Sequence, residues 1–204
     1  MEIRSVAVQA DAKIVVTGSA RQAAGGTDLL LARFLSDGSS DAGFGSSGWV
    51  TADYGGEDEF GESLALQADG KIVVAGYQYD DGDYRPMVVR FLAGGGLDAG
   101  FARSGFRIEN MGDGYQVYKP VMDDGKIVVA GNKDSGAHGS DVLLARYLAD
   151  GSPDYGFGNG GVAETSLGSD TRDYSLALAI QSDGRILVGG GRFSSALLLS
   201  RFWH

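Results

Sequence analysis

The stretch Gln67-Ala-Asp-Gly-Lys-Ile-Val-Val-Ala-Gly76 decides the fold, because similar stretches occur at four places in the chain. The other copies end at Gly18, Gly131 and Gly190. Their turn aspartates lie 58, 55 and 59 residues apart, at Asp11, Asp69, Asp124 and Asp183. A repeat of about 57 residues therefore organises the whole sequence.

Two further blocks follow this stretch in the same order. An arginine block occurs four times, as Leu31-Ala-Arg-Phe34, Val88-Val-Arg-Phe91, Leu144-Ala-Arg-Tyr147 and Leu199-Ser-Arg-Phe202. A glycine-rich block follows at residues 37–45 and 150–158, with a degraded copy at 94–102. Because separate blocks keep one order, the units are repeats and not chance matches.

Each unit has the pattern of short β-strands. Ser63-Leu-Ala-Leu-Gln67 alternates with period two, and Ile72-Val-Val74 is β-branched. Asp69-Gly70 between them predicts a two-residue hairpin with a type I′ turn, in which both central residues have positive φ. Ala12 takes the glycine position in the first copy, so we expect that hairpin to be the least well formed.

The arginine block forms a third strand that is apolar on both faces, and a fourth strand follows the glycine-rich block. Four antiparallel strands per unit, with no helical periodicity, predict an all-β fold, namely a single β-propeller domain over residues 1–204. Its four blades span about 3–54, 60–110, 115–166 and 173–204. A solenoid is the alternative. Small residues in strand one, with Pro120 in the third copy, place strand one innermost.

The count is fifteen strands, so the last blade lacks its outer strand. The strand from Leu197 to Phe202 would then offer a bare edge, and bare edges pair or are blunted. Three outcomes stay open: the chain forms a homo-oligomer through this edge, it is part of a larger propeller, or Arg201 blunts the edge.

These blocks resemble the delta-60 repeat, a bacterial β-propeller-like repeat of undefined function. The likeness covers about residues 4–202. The resemblance implies a propeller fold and exported or surface proteins, and it brings no catalytic residues. The chain departs from the pattern at Ala12, in the block at 94–102 and in the absent final block, which puts ring closure within one chain in doubt.

Composition excludes several classes of function. The chain has 204 residues, of which 34 are glycines. It has no cysteine and two histidines, which excludes thiolate catalysis and Cys-ligated zinc and argues against multi-His sites. A net charge of −10 disfavours nucleic acid and anionic membranes as partners. No stretch is long and apolar enough for a membrane span, and no signal peptide is expected in this chain. The compartment stays open.

Two repeated polar patterns have a structural and a functional interpretation. The arginines of the third strand either line a channel as an anion site or hold an aspartate or carbonyl of a glycine turn, and the second is favoured. The Asp-x-Ser-x-Asp spacing could bind calcium or cap a turn, and capping is favoured. The possible calcium ligands are Asp37, Ser39, Asp41, Asp150, Ser152 and Asp154.

The segment that deviates most from the repeat is a loop at residues 77–86, between strands two and three of the second blade. Tyrosines beside carboxylates are typical of sugar-binding loops, since rings stack on C–H faces and carboxylates accept hydroxyl protons. The predicted ligand-binding residues are Tyr77, Tyr79, Asp80, Asp81, Asp83 and Tyr84.

The function predicted first is a non-catalytic scaffold that binds a protein or glycan partner and that can associate with another copy of itself. A carbohydrate-binding module that uses the loop from Tyr77 to Arg85 is the alternative. A carboxylate glycosidase is less favoured; its candidates lie in Glu57-Asp-Glu59 and Asp170-Thr-Arg-Asp173.

Overall fold

A computed structural model describes residues 1–23, 25–109, 115–123, 125–134, 139–165, 171–192 and 196–203. Within these ranges every regular element is a strand, and the strands number fifteen, as predicted. None of the described residues belongs to a helix that could cross a membrane. Asp124 and Asp170 lie outside the described residues, and so do the side chains of Pro120 and Asp173.

The chain divides into two compact units, Met1–Asn110 and Met111–His204. The first unit holds two four-stranded sheets, and in both the strands follow chain order. Sheet 1 contains β1 (Glu2–Val8), β2 (Ile14–Arg21), β3 (Thr27–Phe34) and β4 (Trp49–Ala52). Sheet 2 contains β5 (Asp58–Leu66), β6 (Ile72–Asp80), β7 (Asp83–Phe91) and β8 (Phe106–Ile108).

The second unit repeats this architecture with four and three strands. Sheet 3 contains β9 (Tyr115–Asp123), β10 (Lys126–Asp134), β11 (Gly139–Tyr147) and β12 (Val162–Thr165). Sheet 4 contains β13 (Thr171–Ile180), β14 (Ile186–Arg192) and β15 (Ala196–Phe202). A two-residue parallel pairing of β11 with β13 joins the two sheets. The sequential antiparallel order is thus confirmed, while a single domain with strand one innermost stays a prediction.

The predicted type I′ turn at Asp69-Gly70 is wrong in detail. Gly70 N–H donates to Gln67 O and Gln67 N–H to Lys71 O, and only Gly70 has a positive φ (82°). This is a three-residue loop, a type I turn followed by a left-handed residue. Asp69 instead accepts the Lys71 N–H, which stabilises the turn from its side chain.

The first hairpin keeps this geometry in spite of its alanine. Ala12 adopts φ 64°, and its N–H donates to Gln9 O at 2.9 Å, the length of the corresponding bond of Gly70. The expectation that this hairpin is poorly formed is therefore wrong. The flanking strand pairing outweighs the local cost of about 1 kcal/mol for a left-handed alanine.

The glycine that closes each decisive stretch accommodates a β-bulge. The pairing of strand one with strand two shifts register at this point in all four sheets. A Cβ on Gly18 would collide with the carbonyl of Glu2, and a Cβ on Gly76 with that of Phe60. Only glycine allows the bulged strand to approach so closely, which explains its recurrence.

Each unit is held together by an apolar layer between its two sheets. In the first unit the layer contains Val15, Leu29, Leu31, Phe44, Leu64, Ile72, Val74, Met87, Val89 and Phe91. In the second it contains Val128, Ala130, Val142, Leu144, Phe157, Ile186, Val188 and Leu198. Burial of these side chains is the main source of stability within each unit.

Candidate functional site

The segment at residues 77–86 is a β-hairpin, so its prediction as a loop is wrong. β6 and β7 pair up to Asp80 and Asp83, and a two-residue turn joins them. Both turn residues have positive φ, 44° at Asp81 and 102° at Gly82. Asp-Gly is the sequence that favours a type I′ turn, and this turn keeps the twist of the two strands.

Four aromatic side chains cluster on one face of this hairpin and of β5 beside it. The ring of Tyr77 stacks on Phe60, with 4.9 Å between centroids, and Tyr84 meets Tyr77 edge-on at 5.3 Å. Tyr79 and Tyr84 are cross-strand partners whose rings are tilted at 4.9 Å. Tyr79 is exposed, and the other three are partly buried. We call these four residues the aromatic cluster.

The charged side chains of the hairpin lie on its other face, because side chains alternate along a strand. Asp80 and Asp83 are cross-strand partners, and Arg85 is the partner of Gln78. Arg85 Nη2 forms an ion pair with Asp80 Oδ2 at 2.5 Å. The six predicted ligand-binding residues are therefore divided: three tyrosines on one face, two aspartates on the other, and Asp81 at the tip.

A buried carboxyl group, Glu59, lies on this charged face. Gln78 Nε2 donates to Glu59 Oε1 at 2.9 Å and to the Tyr54 carbonyl at 2.9 Å. Glu59 is fully buried, and its Oε2 has no hydrogen-bond partner. Burial is the main reason that the pKa of Glu59 is raised from 4.5 to about 7, and Asp53 and Asp28 add repulsion.

Other carboxylates surround this position without forming a common site. Asp58 Oδ1 accepts the Thr27 N–H at 2.7 Å, which links the start of β3 to β5. The nearby Asp80 raises the pKa of Glu57, and burial raises that of Asp28. Among the described residues, no group of three carboxylate or imidazole side chains is arranged to hold a metal ion. The sequence suggested the carboxylates at 57–59 but not Gln78, whose partner only the strand register reveals.

Replacing Glu59 with glutamine is expected to remove a pH dependence of folding. A carboxyl whose pKa is higher in the folded protein destabilises it as pH rises from 4.5 to about 7, by roughly 3 kcal/mol in all. Urea denaturation at several pH values should show wild type losing this free energy of unfolding relative to Glu59→Gln. A constant difference between the two proteins from pH 4.5 to 8 would contradict the assignment.

Three of the four repeated arginines hold the aspartates of the glycine-rich blocks, as the favoured interpretation predicted. Arg90 Nε donates to Asp98 Oδ2 at 2.8 Å, and its guanidinium lies 4.7 Å from the centre of the Phe101 ring. Asp98 Oδ1 accepts the Gly100 N–H. The same Arg–Asp–Phe clusters are formed by Arg33, Asp41 and Phe44 and by Arg146, Asp154 and Phe157.

These clusters occupy two of the oxygens that were considered for calcium. Asp41 and Asp154 each bind an arginine and a lysine, Lys13 and Lys126 respectively. Asp37 Oδ1 accepts hydrogen bonds from the backbone and hydroxyl of Ser39, and Asp150 and Ser152 form the same turn. An arginine and a lysine already neutralise the last carboxylate of each Asp-x-Ser-x-Asp segment, which disfavours a calcium ion there. The geometry thus supports the turn-capping interpretation.

A family model matches the repeats themselves. It is described as a domain of unknown function (DUF5122) beta-propeller and matches residues 9–44, 67–101 and 123–157, or 106 of the 204 residues. The matches end at the phenylalanines of the three Arg–Asp–Phe clusters. The prediction of a propeller-repeat family is thereby confirmed. No curated protein matches the chain.

Proposed function

Because the chain belongs to the DUF5122 β-propeller family, we propose that it is a non-catalytic interaction scaffold that binds a protein partner through the β6–β7 hairpin. We also propose that its repeats are of the delta-60 kind and that the scaffold associates with a second copy. The repeat supplies the frame, and the hairpin, which departs from the repeat, supplies the specificity.

The observation that carries this proposal is the division of the hairpin into an aromatic face and a charged face. The arginines and aspartates that recur in the repeats bond to one another in the Arg–Asp–Phe clusters, so their role is a structural one. Tyr79 and Tyr84, in contrast, form a partly exposed tyrosine pair. Tyrosine is enriched in protein interfaces, where it buries a large apolar ring and keeps a polar hydroxyl.

The carboxylates support a role without catalysis. Glu59 is bonded to Gln78 in the interior, and Asp58 bonds to a backbone N–H of the neighbouring sheet. A glycosidase needs two carboxyls that face one substrate, roughly 5 to 10 Å apart. Carboxylates engaged in such structural bonds are poor candidates for the acid and the nucleophile.

Carbohydrate binding by the same hairpin is the second candidate. The exposed Tyr79 ring is the observation that favours it, because a sugar can stack on it. The sequence predicted that rings and carboxylates would bind a sugar together, but Asp80 lies on the opposite face of the hairpin from the rings. A protein surface, which contacts both faces around the hairpin tip, fits this division better.

The double variant Tyr79→Ala/Tyr84→Ala tests the hairpin. We expect it to keep its fold and to lose at least about tenfold in affinity for a partner that wild type binds saturably, since tyrosines of this kind dominate interface energies. Quantitative affinity capture identifies the partner, and binding of the purified partner is then measured. Tyr155→Ala is the matched control, because Tyr155 is an exposed tyrosine far from the hairpin in sequence.

A glycan array probed with the same three proteins separates the two candidates. Hits that disappear in the double variant would favour the carbohydrate module. A protein partner that binds the double variant as tightly as wild type would refute the role of the hairpin.

A further inference from the structure

Among the residues that the structure describes, sheet 1 and sheet 4 each have an apolar face that is largely exposed, although the other face of each sheet is buried. The sheet-1 face contains Val6, Val8, Val16, Ala32, Phe34 and Trp49, which the strand register places side by side. Val6 and Val8 are 63% and 65% exposed, whereas Val16 and Ala32 in the middle of the face are buried. An apolar groove of about 500 Å³ is lined by Val16, Ala32 and Trp49. These positions are typical of a surface that another element covers.

The sheet-4 face is the second exposed face. It contains Ala177, Ala179, Leu187, Leu197 and Leu199, again aligned by the strand register. Leu197 is 97% exposed and Leu199 is 75% exposed. Exposed leucines on consecutive outward positions of one strand form a patch and are not isolated surface residues.

The repeat shows what covers such a face inside the protein. Leu197 and Leu199 precede Arg201 as Leu29 and Leu31 precede Arg33. Leu29 and Leu31 are completely buried in the apolar layer between sheets 1 and 2. The sheet-4 face is thus the repeat equivalent of a face that packs against the next sheet.

The sheet-1 face is the repeat equivalent of the covering partner. Val6 and Val16 correspond to Leu64 and Val74 of sheet 2, which pack against sheet 1. The second unit uses the same two kinds of face, since Val142 and Leu144 of sheet 3 pack against Val188 and Leu198 of sheet 4. The two exposed faces are therefore the complementary halves of an interface that the protein already forms twice.

We propose that the sheet-4 face of one copy packs on the sheet-1 face of a second copy, as sheet 1 packs on sheet 2. This deepens the proposed function, on which it rests, by naming the partner and surface of self-association. The interface is heterologous, because different surfaces of the two copies meet. It differs from the edge pairing predicted from the sequence, because faces and not backbone edges meet.

One polar contact accompanies the apolar packing. Arg33 Nη1 donates to the carbonyl of Ala93 across the interface of sheets 1 and 2, at 2.6 Å. The corresponding residues here are Arg201 and Ser36. Arg201 is exposed, and we expect its guanidinium to donate to the Ser36 carbonyl of the second copy.

Complementation of two charge variants tests this pairing. Val6→Asp alters only the sheet-1 face, and Leu199→Asp alters only the sheet-4 face. Multi-angle light scattering should show wild type associated and each variant monomeric, with self-association weakened at least about tenfold. An equimolar mixture should form a one-to-one complex, because each variant keeps the face that the other lacks. Tyr155→Asp, on an exposed loop, should associate as wild type does.

The competing arrangements give different results. A wild-type protein that stays monomeric at all concentrations overturns the proposal, and so does a Val6→Asp protein that associates normally, as edge pairing would allow. A mixture that stays monomeric overturns it as well. Circular dichroism and thermal melting check the fold; if either variant fails to fold, Val8→Ser or Leu197→Ser replaces it. A monomeric wild type that still binds a partner through the hairpin would refute this inference together with the proposed self-association, and it would leave the proposed binding role of the hairpin intact.

Discussion

Val74→Asp is expected to prevent the first unit from folding. Val74 is completely buried on β6, between Leu64 and Val89, in a layer whose members are all apolar. An ionised carboxylate there has no cationic partner, and burying it costs several kcal/mol, which is a large share of a typical domain's stability. Circular dichroism and urea denaturation should show loss of the cooperative unfolding transition of this unit.

Two further substitutions distinguish lost packing from the buried charge. Val74→Ala leaves a small cavity and should lower the free energy of unfolding by about 1 to 3 kcal/mol while the protein stays folded. Ala68→Asp adds the same charge at an exposed turn position of the preceding connection and should change little. If Val74→Asp unfolds cooperatively with near wild-type stability, the layer between sheets 1 and 2 is not the core of this unit.

The sequence predicts the strands well because two local signals agree at each of them. Ile72, Val73 and Val74 are β-branched, and Asp69-Gly70 marks the turn before them. The arginine interactions were also predictable, since a charged residue that recurs in a buried strand needs a partner that recurs with it. The regularity of the repeat is what makes both inferences possible.

Apart from the turn type at Asp69-Gly70, prediction from sequence fails where the chain departs from the repeat. The segment at 77–86 is rich in polar and turn-forming residues, which is typical of a loop, yet cross-strand ring contacts and the Asp81-Gly82 turn extend β6 and β7 through it. The division of Tyr79 and Asp80 between two faces depends on strand register, which composition does not specify. The exposure of Leu199 likewise depends on whether another sheet packs on its face, which the sequence of its own repeat does not specify.

The same reasoning separates structural residues from functional ones in this fold. Residues that recur in the repeats have a structural role: Gly76 allows two strands to approach closely at a bulge, and Arg90 binds the aspartate of a glycine turn. Tyr79 and Tyr84 occur once and have no such role in the repeat. A binding role is therefore best sought at the β6–β7 hairpin and on the exposed apolar faces of sheets 1 and 4.

Breaking the Arg–Asp–Phe cluster of sheet 2 is expected to destabilise the first unit. Asp98→Ala leaves the buried Arg90 guanidinium without its carboxylate and with Lys71 close by, since Lys71 Nζ lies 3.5 Å from Asp98 Oδ2. Removing one partner of a buried ion pair costs more than the pair contributes, so the free energy of unfolding should fall by about 3 kcal/mol. Urea denaturation at pH 7 measures this difference.

Asp69→Ala is the matched control for Asp98→Ala, because Asp69 also forms an ion pair with Lys71 but is exposed. This substitution should lower the free energy of unfolding by no more than about 1 kcal/mol.

A second readout is the free energy of unfolding at acidic pH. Burial opposes ionisation of Asp98, but the Gly100 N–H, Arg90 and Lys71 together lower its pKa below 3.8. The stability that the carboxylate contributes is thus present above pH 3.8 and lost as pH falls through the lowered pKa, so wild type and Asp98→Ala should converge in acid. Equal losses from the two alanine variants at pH 7 would show that Arg90 does not depend on Asp98, and the cluster would then be packing without an essential ion pair.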